Sequence, residues 1–215
     1  MPNKSVAKDV DAAQLIENIL NSQEFLQNLA AAVSKEMDTR IAVLVDRYEK
    51  KLEEKQSKID ALQRELREST DELEQYQRRN SIRIFGKEEE AGEDTDCIAI
   101  AVSQKLGVNV DLHDIDRSHR VGRKVAGKRR PIIVKFVSYR KRNEVFTAKR
   151  KLAGTGVTIR EDLTRQRLQV LREAIQRFGQ ENVWSLDGTI IIKNGNNKVR
   201  VKSLEQLITV NPGAN

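Results

Sequence analysis

The chain of 215 residues is poor in the residue types that build cross-links, rigid turns and large apolar cores. It has one cysteine, three prolines, one Trp, three Tyr and five Phe. Cys97 alone cannot close an internal disulfide, which fits a reducing compartment. No apolar run reaches the ~18–20 residues that cross a bilayer. Residues 1–20 mix acids among their apolar positions, so they lack the continuous apolar stretch of a secretory signal. The expectation is a soluble intracellular protein without a membrane span. Histidine is equally scarce. His113 and His119 are the only two, and with Cys97 they make no closed zinc pattern. Extended backbone over 113–119 would put both on one face, the one metal pair the sequence offers. Catalytic constellations are missing as well. "GRKVAGKR" (122–129) has Gly122, Gly127 and Lys128 of a phosphate-binding loop, but Arg129 stands where Ser or Thr would hold magnesium. A strand pattern follows where a helix is required. The expectation is therefore no enzyme, no cofactor and no metal.

Charge is abundant instead. Charged residues make up 33% and hydrophobic residues 38%, a polar balance that points to an elongated or partly non-globular region. The net charge is +7, from 39 Lys and Arg against 32 Asp and Glu. It is unevenly spread. Residues 117–151 hold 14 Lys and Arg and one acid, Glu144, for a local charge of +13, so the rest of the chain sums to −6. Such a concentration favours an anionic partner, nucleic acid first.

The chain divides into four segments. Residues 1–37 read as short helices. Leu15, Ile16, Ile19 and Leu20 form one patch, and Asn21 and Glu24 stand at capping-box spacing before Phe25, Leu26 and Leu29. This segment is too short to fold alone, so it packs on a partner chain or stays fluid. Residues 38–79 contain neither Pro nor Gly. Val45, Leu52, Ile59, Leu66 and Leu73 recur every seven residues, with Ile41, Tyr48, Lys55, Leu62, Ser69 and Tyr76 at the companion position. A narrow seven-residue stripe asks for another helix and a left-handed supercoil. The oligomerisation set is Val45, Tyr48, Leu52, Ile59, Leu62, Leu66, Leu73 and Tyr76, with dimer and trimer both open.

Residues 80–161 alternate as βαββαβ. "SIRIF" (81–85) is a strand with Ile82 and Ile84 on one face. A polar, acidic loop (86–96) leads to a helix over 97–107 with Ile98, Val102 and Leu106 inward, ending at Gly107. Residues 112–121 read as a strand entering the basic loop, and "PIIVKFV" (131–137) as the next. Ser138 caps a helix to about 152, and "GVTIR" (156–160) is the last strand. This order gives a four-stranded antiparallel sheet with two helices on one face. Residues 162–215 form a small α/β unit. Leu163, Leu168, Leu171, Ile175 and Phe178 line its helix, which stops at Gly179. A hairpin turns at Asp187–Gly188, a strand covers 198–202, and Ser203 with Gln206 caps a short terminal helix. The fold class is α+β.

Three groups of cations are candidate nucleic-acid contacts. The first is the loop and its entry: Arg117, His119, Arg120, Arg123, Lys124, Lys128, Arg129 and Arg130. The second is Arg140, Lys141 and Arg142, in the first turn of a helix whose free N–H groups suit a phosphate. The third is the open sheet face, with Arg83, Phe85, Ile133 and Lys135. It is basic with at most one aromatic, so phosphate contact should dominate over stacking and sequence preference should be low. Arg160, facing out between the two C-terminal units, completes a groove whose second wall would be Lys198, Arg200 and Lys202. Its alternative is an ion pair with Glu161 or Asp162. The acids of 86–96 either compete with phosphate or keep their loop soluble.

In order, "RRNSIRIFG" (78–86), "DIDRSHRVG" (114–122), "RPIIVKF" (130–136), "VTIREDLT" (157–164) and "VWSLDGTIIIK" (183–193) resemble the first-open-reading-frame protein of LINE-type non-LTR retrotransposons. In its two C-terminal units, residues 80–161 and 162–215, the chain is also similar to the related few-polyhedra protein family of baculoviruses. The likeness covers roughly residues 40–211. It implies a ribonucleoprotein-like βαββαβ domain. It further implies a self-associating binder and chaperone of single-stranded RNA, with DNA as a second strand type, that coats element RNA into a cytoplasmic ribonucleoprotein particle and leaves nuclear entry open. Arg117 and Arg120 match the family's basic loop entry, and Arg160 its basic residue between units. The chain departs from the family in having no zinc knuckle and no long N-terminal tail. The rival reading is a coiled-coil structural or adaptor protein, viral among its origins, that binds an acidic protein or membrane surface during particle assembly.

The stripe generates a first prediction. Ile59→Asp with Leu66→Asp puts two carboxylates into an apolar seam at a cost of several kcal/mol. Light scattering should then read a monomer while circular dichroism of residues 80–211 is preserved. An unchanged mass would refute the seam.

Overall fold

The computed structural model describes residues 4–211, with side chains from residue 12. The chain forms two compact units, Met1–Arg64 and Glu65–Asn215. α1 spans Lys4–Leu20 and α2 Gln23–Arg78. Ser22 separates them, its hydroxyl accepting the Phe25 N–H at 3.2 Å, so the cap is Ser22 rather than Asn21. The helix beginning there does not end near 35. No Pro or Gly interrupts 23–78, and α2 continues for 56 residues. Arg40–Glu36 and Lys50–Asp46 ion pairs lie along it at i,i+4 spacing, each worth a few tenths of a kcal/mol. The eight seam residues, Val45 to Tyr76, are 47–67% exposed.

In the second unit, alternation decides the main sheet. β1 (Ser81–Phe85), β2 (Ile115–Arg120), β3 (Ile132–Phe136) and β4 (Thr158–Glu161) are arranged β2-β3-β1-β4, all pairs antiparallel. Ile82, Ile84, Ile132, Val134, Phe136 and Ile159 point to one face. They are covered by α3 (Thr95–Lys105) and α4 (Tyr139–Ala148) through Ala99, Val102, Val145 and Phe146. α3 starts two residues before its expected place because Asp94 accepts the N–H groups of Asp96 and Cys97. Residues 112–114 make a 3-10 turn capped by Asp111 rather than strand. His113 therefore lies outside β2, and the extended His113–His119 pairing does not form.

The smaller unit has α5 (Arg165–Phe178) against a sheet of β5 (Val183–Leu186), β6 (Thr189–Asn194) and β7 (Asn197–Val201), with α6 (Leu204–Ile208) closing it. Val170, Ala174, Ile190, Ile192, Val201 and Leu207 form its core. The β5–β6 turn uses Asp187 and Gly188 at φ 48° and 74°, the geometry of a two-residue hairpin.

Gly86 ends β1 at φ +88°, and a Cβ there would run into the Gly156 carbonyl oxygen. Gly92, at φ +74°, has open space. Gly92→Ala should cost about 1–2 kcal/mol for its left-handed backbone. Gly86→Ala adds a clash between two main chains that no rotamer relieves. Thermal melts should show the larger drop at Gly86, and equal drops would refute the contact.

Candidate nucleic-acid interface

The face of the main sheet away from the helices carries the charge. Cross-strand register aligns His119, Ile133, Arg83 and Arg160 in one row over all four strands, with Arg117 beside Lys135 in the next. A β-bulge at Asp116 makes this row. Ile115 pairs with Phe136 inside, the register then shifts, and Arg117 pairs with Lys135 outside. Simple alternation from Ile115 would have buried Arg117 and His119; the extra residue turns them out. Both are exposed.

Two hollows flank the row. One, about 720 Å3, lies between the last turn of α2 and the sheet and is bounded by Tyr76, Arg79, Arg117, His119, Ile133 and Lys135 among others. The Arg79 guanidinium lies 3.8 Å from the Tyr76 ring centre, a cation–π stack. The other, about 930 Å3, runs between β4 and the smaller unit. Leu168, Leu171 and Ile175 of α5 form its apolar wall, with Trp184 of β5 and Phe85 of β1. Arg83, Lys149, Arg150, Arg160 and Arg172 add charge. Burial lowers the Lys149 ammonium pKa first of all; Glu161 opposes this, and Arg142, Arg150 and Arg160 add to it. A cluster of cations that disfavour one another's charge is relieved by an anion.

Arg160 is free to face this cleft because both neighbouring acids are committed. Glu161 accepts from Arg142 at 2.8 Å and from the Gly188 N–H at 3.3 Å. Asp162 accepts from Arg83 at 2.6 Å and Arg78 at 3.0 Å. Arg160 is left with the Phe85 ring, 5.3 Å away. The ion pair weighed as its alternative is not made.

Other expected contacts are placed elsewhere. Arg142 is 2% exposed, packed 4.4 Å from the Phe146 ring centre and paired with Glu161. Lys141 donates to the Asn109 carbonyl and lies 3.6 Å from Asp114. Arg140 is exposed, but α4 covers the opposite side of the sheet from the row. The start of α4 is therefore a core and edge element, not an extension of the row. Nor is β7 the second wall of the cleft. In the order β5-β6-β7 it is the far strand. Lys198 reaches the Trp184 ring at 5.9 Å, Arg200 is exposed, and Lys202 pairs with Glu72 at 2.8 Å. The wall is α5 and β5. Arg79, Lys149, Arg150, Arg172 and Trp184 were absent from the sequence-based set, and Tyr76 stood in it as an oligomerisation residue. Only Arg172 had a legible signal, since it shares a helix face with Leu168 and Ile175.

The basic loop is not bare. Arg120 gives Nε and Nη2 to Glu93 at 2.7 and 2.8 Å and bonds the carbonyls of Lys87, Glu88 and Arg130. Arg130 meets Glu89 at 3.0 and 2.5 Å, Arg129 meets Glu88 at 2.5 Å, and Lys124 is 3.5 Å from Glu89. The hydrogen bond from Arg130 above all holds the Glu89 carboxyl down to about 2. Arg123 and Lys128 are exposed. Lys135 pairs with Asp116 at 3.0 Å. Among the described residues no three His, Cys, Asp or Glu stand together as metal ligands, and no helix is long and apolar enough to cross a membrane. No family model matches the chain, and no curated protein matches it.

Arg142→Ala would strand Glu161 without a cation in a buried site, at about 3–5 kcal/mol. Arg160→Ala removes an exposed side chain and should move stability by no more than ~0.5 kcal/mol. Paired thermal melts test this; a similar loss in both variants would overturn the division between them.

Proposed function

We propose that this protein is a self-associating, single-stranded RNA-binding protein and nucleic-acid chaperone. The βαββαβ sheet is its ribonucleoprotein-like reader and the exposed seam of α2 its means of assembly. The carrying observation is the row His119, Ile133, Arg83 and Arg160, set between two hollows that combine cations with apolar or aromatic surface. A single strand suits that combination, because its phosphates take the cations and its bases take the flat apolar surfaces. A folded acidic protein surface would leave the Leu168–Leu171–Ile175 wall without a planar ligand. Arg160 and Arg117 contact phosphate on this reading. Phe85, Trp184 and the stacked Tyr76–Arg79 pair receive bases. DNA strands of the same length bind through the same phosphates.

The open face is basic with one aromatic, Phe85, so phosphate contact dominates and sequence preference is low. Annealing follows from many screened, exchangeable phosphate contacts rather than from catalysis. The family resemblance agrees with this reading and supplies the setting, a cytoplasmic particle of element RNA. The coiled-coil adaptor remains the competing role, favoured by one observation: Arg120, Arg129 and Arg130 already have acidic partners.

Two measurements decide. Protein purified without nuclease should absorb strongly at 260 nm, and ribonuclease should remove that signal. Arg160→Ala should lower affinity for unrelated single strands roughly tenfold, as expected for one charge-assisted contact in a groove, with the melting temperature unchanged. Lysine at 160 should restore part of it, since it keeps the charge without the planar fork. An RNA-free protein with no affinity at low salt would favour the adaptor. Normal affinity in Arg160→Ala would remove the cleft from the strand's path.

A further inference from the structure

The loop joining β2 to β3 is the most basic surface segment of the chain, yet its arginines face carboxylates. Residues 120–130 contain six Lys and Arg; residues 86–96, between β1 and α3, contain six Asp and Glu and one Lys. The two loops lie together. Every donor nitrogen of the Arg130 guanidinium has a partner: Nε and Nη2 on Glu89, and Nη1 on the Gly122 carbonyl. Arg129 is committed to Glu88 and the Gly86 carbonyl. Lys124 leans to Glu89. While the pairs stand, a phosphate meeting these three cations also meets the carboxylates of Glu88 and Glu89 beside them.

The pairs differ in how firmly they are held. The Glu93–Arg120 pair is nearly buried, and Arg120 also ties three carbonyls. It is a hinge pin of the two loops. The Arg129–Glu88 pair is more than half exposed on both sides, and Lys124 is 75% exposed. Exposed pairs contribute about 0–1 kcal/mol and exchange readily. A phosphodiester oxygen has the charge and acceptor geometry of a carboxylate oxygen, and a strand brings several in succession.

We propose that Glu88 and Glu89 act as an internal substitute for phosphate: they occupy Lys124, Arg129 and Arg130 until a strand with consecutive phosphates displaces them. This rests on the RNA-binding reading and adds regulation to it. The displacement sets a threshold. An isolated phosphate meets a pre-formed carboxylate and gains little, whereas a strand already held on the sheet row delivers its next phosphates at high local concentration. The loop thereby discriminates by charge density and length of the polyanion. The carboxylates recapture the loop when the strand leaves, which speeds release and suits a chaperone that must let strands exchange.

Glu88→Gln with Glu89→Gln tests the idea beside a charge-matched control, Glu53→Gln with Glu54→Gln, two exposed acids of α2. Affinity is measured for a 30-nucleotide mixed-sequence RNA across a salt series. The loop variant should bind roughly tenfold tighter. A bound strand meets the three loop cations in both proteins, so the slope of log affinity against log salt should match wild type and the gain should appear as an offset across the salt series. The control should match wild type. Equal tightening in both variants would reduce the effect to net charge and overturn the proposal. So would unchanged or weaker binding in the loop variant while wild type binds. Limited trypsin digestion supplies a readout without RNA. Cleavage after Lys124 and Arg129 should be faster in the loop variant than in wild type, and an equal rate would also overturn the proposal. Failure of wild type to bind the RNA at any salt, with faster tryptic cleavage in the variant, would instead overturn the RNA-binding reading and leave the pairing of the loops standing.

Discussion

Two adjacent buried carboxylates, Glu161 and Asp162, hold the second unit together. Glu161 ends β4 and Asp162 follows it, and alternation sends the two to opposite sides of the sheet. Glu161, on the helix side, takes Arg142 of α4 and the Gly188 N–H of the β5–β6 hairpin. Asp162, on the open side, takes Arg83 of β1 and Arg78 of α2. A charge this deeply buried is tolerated only when paired and hydrogen-bonded, so four elements must meet at one dipeptide. Around it, Gln75 bonds the backbone of Asp162 and Thr164, and Asp71 bonds Arg167 and Thr164. Tyr139 and Arg142 reach Asp187 at the hairpin tip. The end of the long helix, the main sheet and the smaller unit are thus joined by polar contacts rather than by a shared apolar core.

That junction sorts the cations. The arginines that pair there, Arg142 and Arg167 buried and Arg78 and Arg83 partly buried, become part of the framework. Arg160 directly precedes the two acids in the chain and pairs with neither, because both are occupied by residues distant in sequence. It is left on the cleft with Phe85. The same logic governs the basic loop, where Glu88, Glu89 and Glu93 claim four of the six cations. The local charge of +13 over residues 117–151 therefore resolves into structural, guarded and free subsets, and the free ones, led by Arg117, Arg123 and Lys128, join Arg160 beyond that stretch in offering an immediate path to an anion.

Much of the framework was legible in the sequence because it depends on short-range periodicity. The alternation of Ile82/Ile84 and Ile132/Val134/Phe136 identified the buried sheet face, and Gly107 and Gly179 marked helix ends. Asp187–Gly188 marked a hairpin, and Ser138 and Ser203 marked caps that the structure uses. The βαββαβ order followed from these. Errors arose where one residue shifts a register or a cap. Ser22 displaced Asn21 as the cap, and the turn capped by Asp111 took residues 112–114 out of the expected strand. The failure at Arg142 was of another kind. A first-turn arginine at a helix start looks exposed by sequence, and only the arrival of Glu161 from the far edge strand makes its burial tolerable.

The sequence by itself determined the elements, the apolar faces, the seven-residue stripe along α2 and the location of the excess positive charge. Each of these is set by residues within about one or two turns of one another. Tertiary structure alone decided which cations keep their charge available. Ion pairing depends on distances between groups 19 to 96 residues apart, such as Arg142 with Glu161 and Asp71 with Arg167. No local pattern encodes such a pairing. It exists only once the strand order β2-β3-β1-β4 and the docked hairpin bring the partners to hydrogen-bonding distance in a site where water no longer screens them.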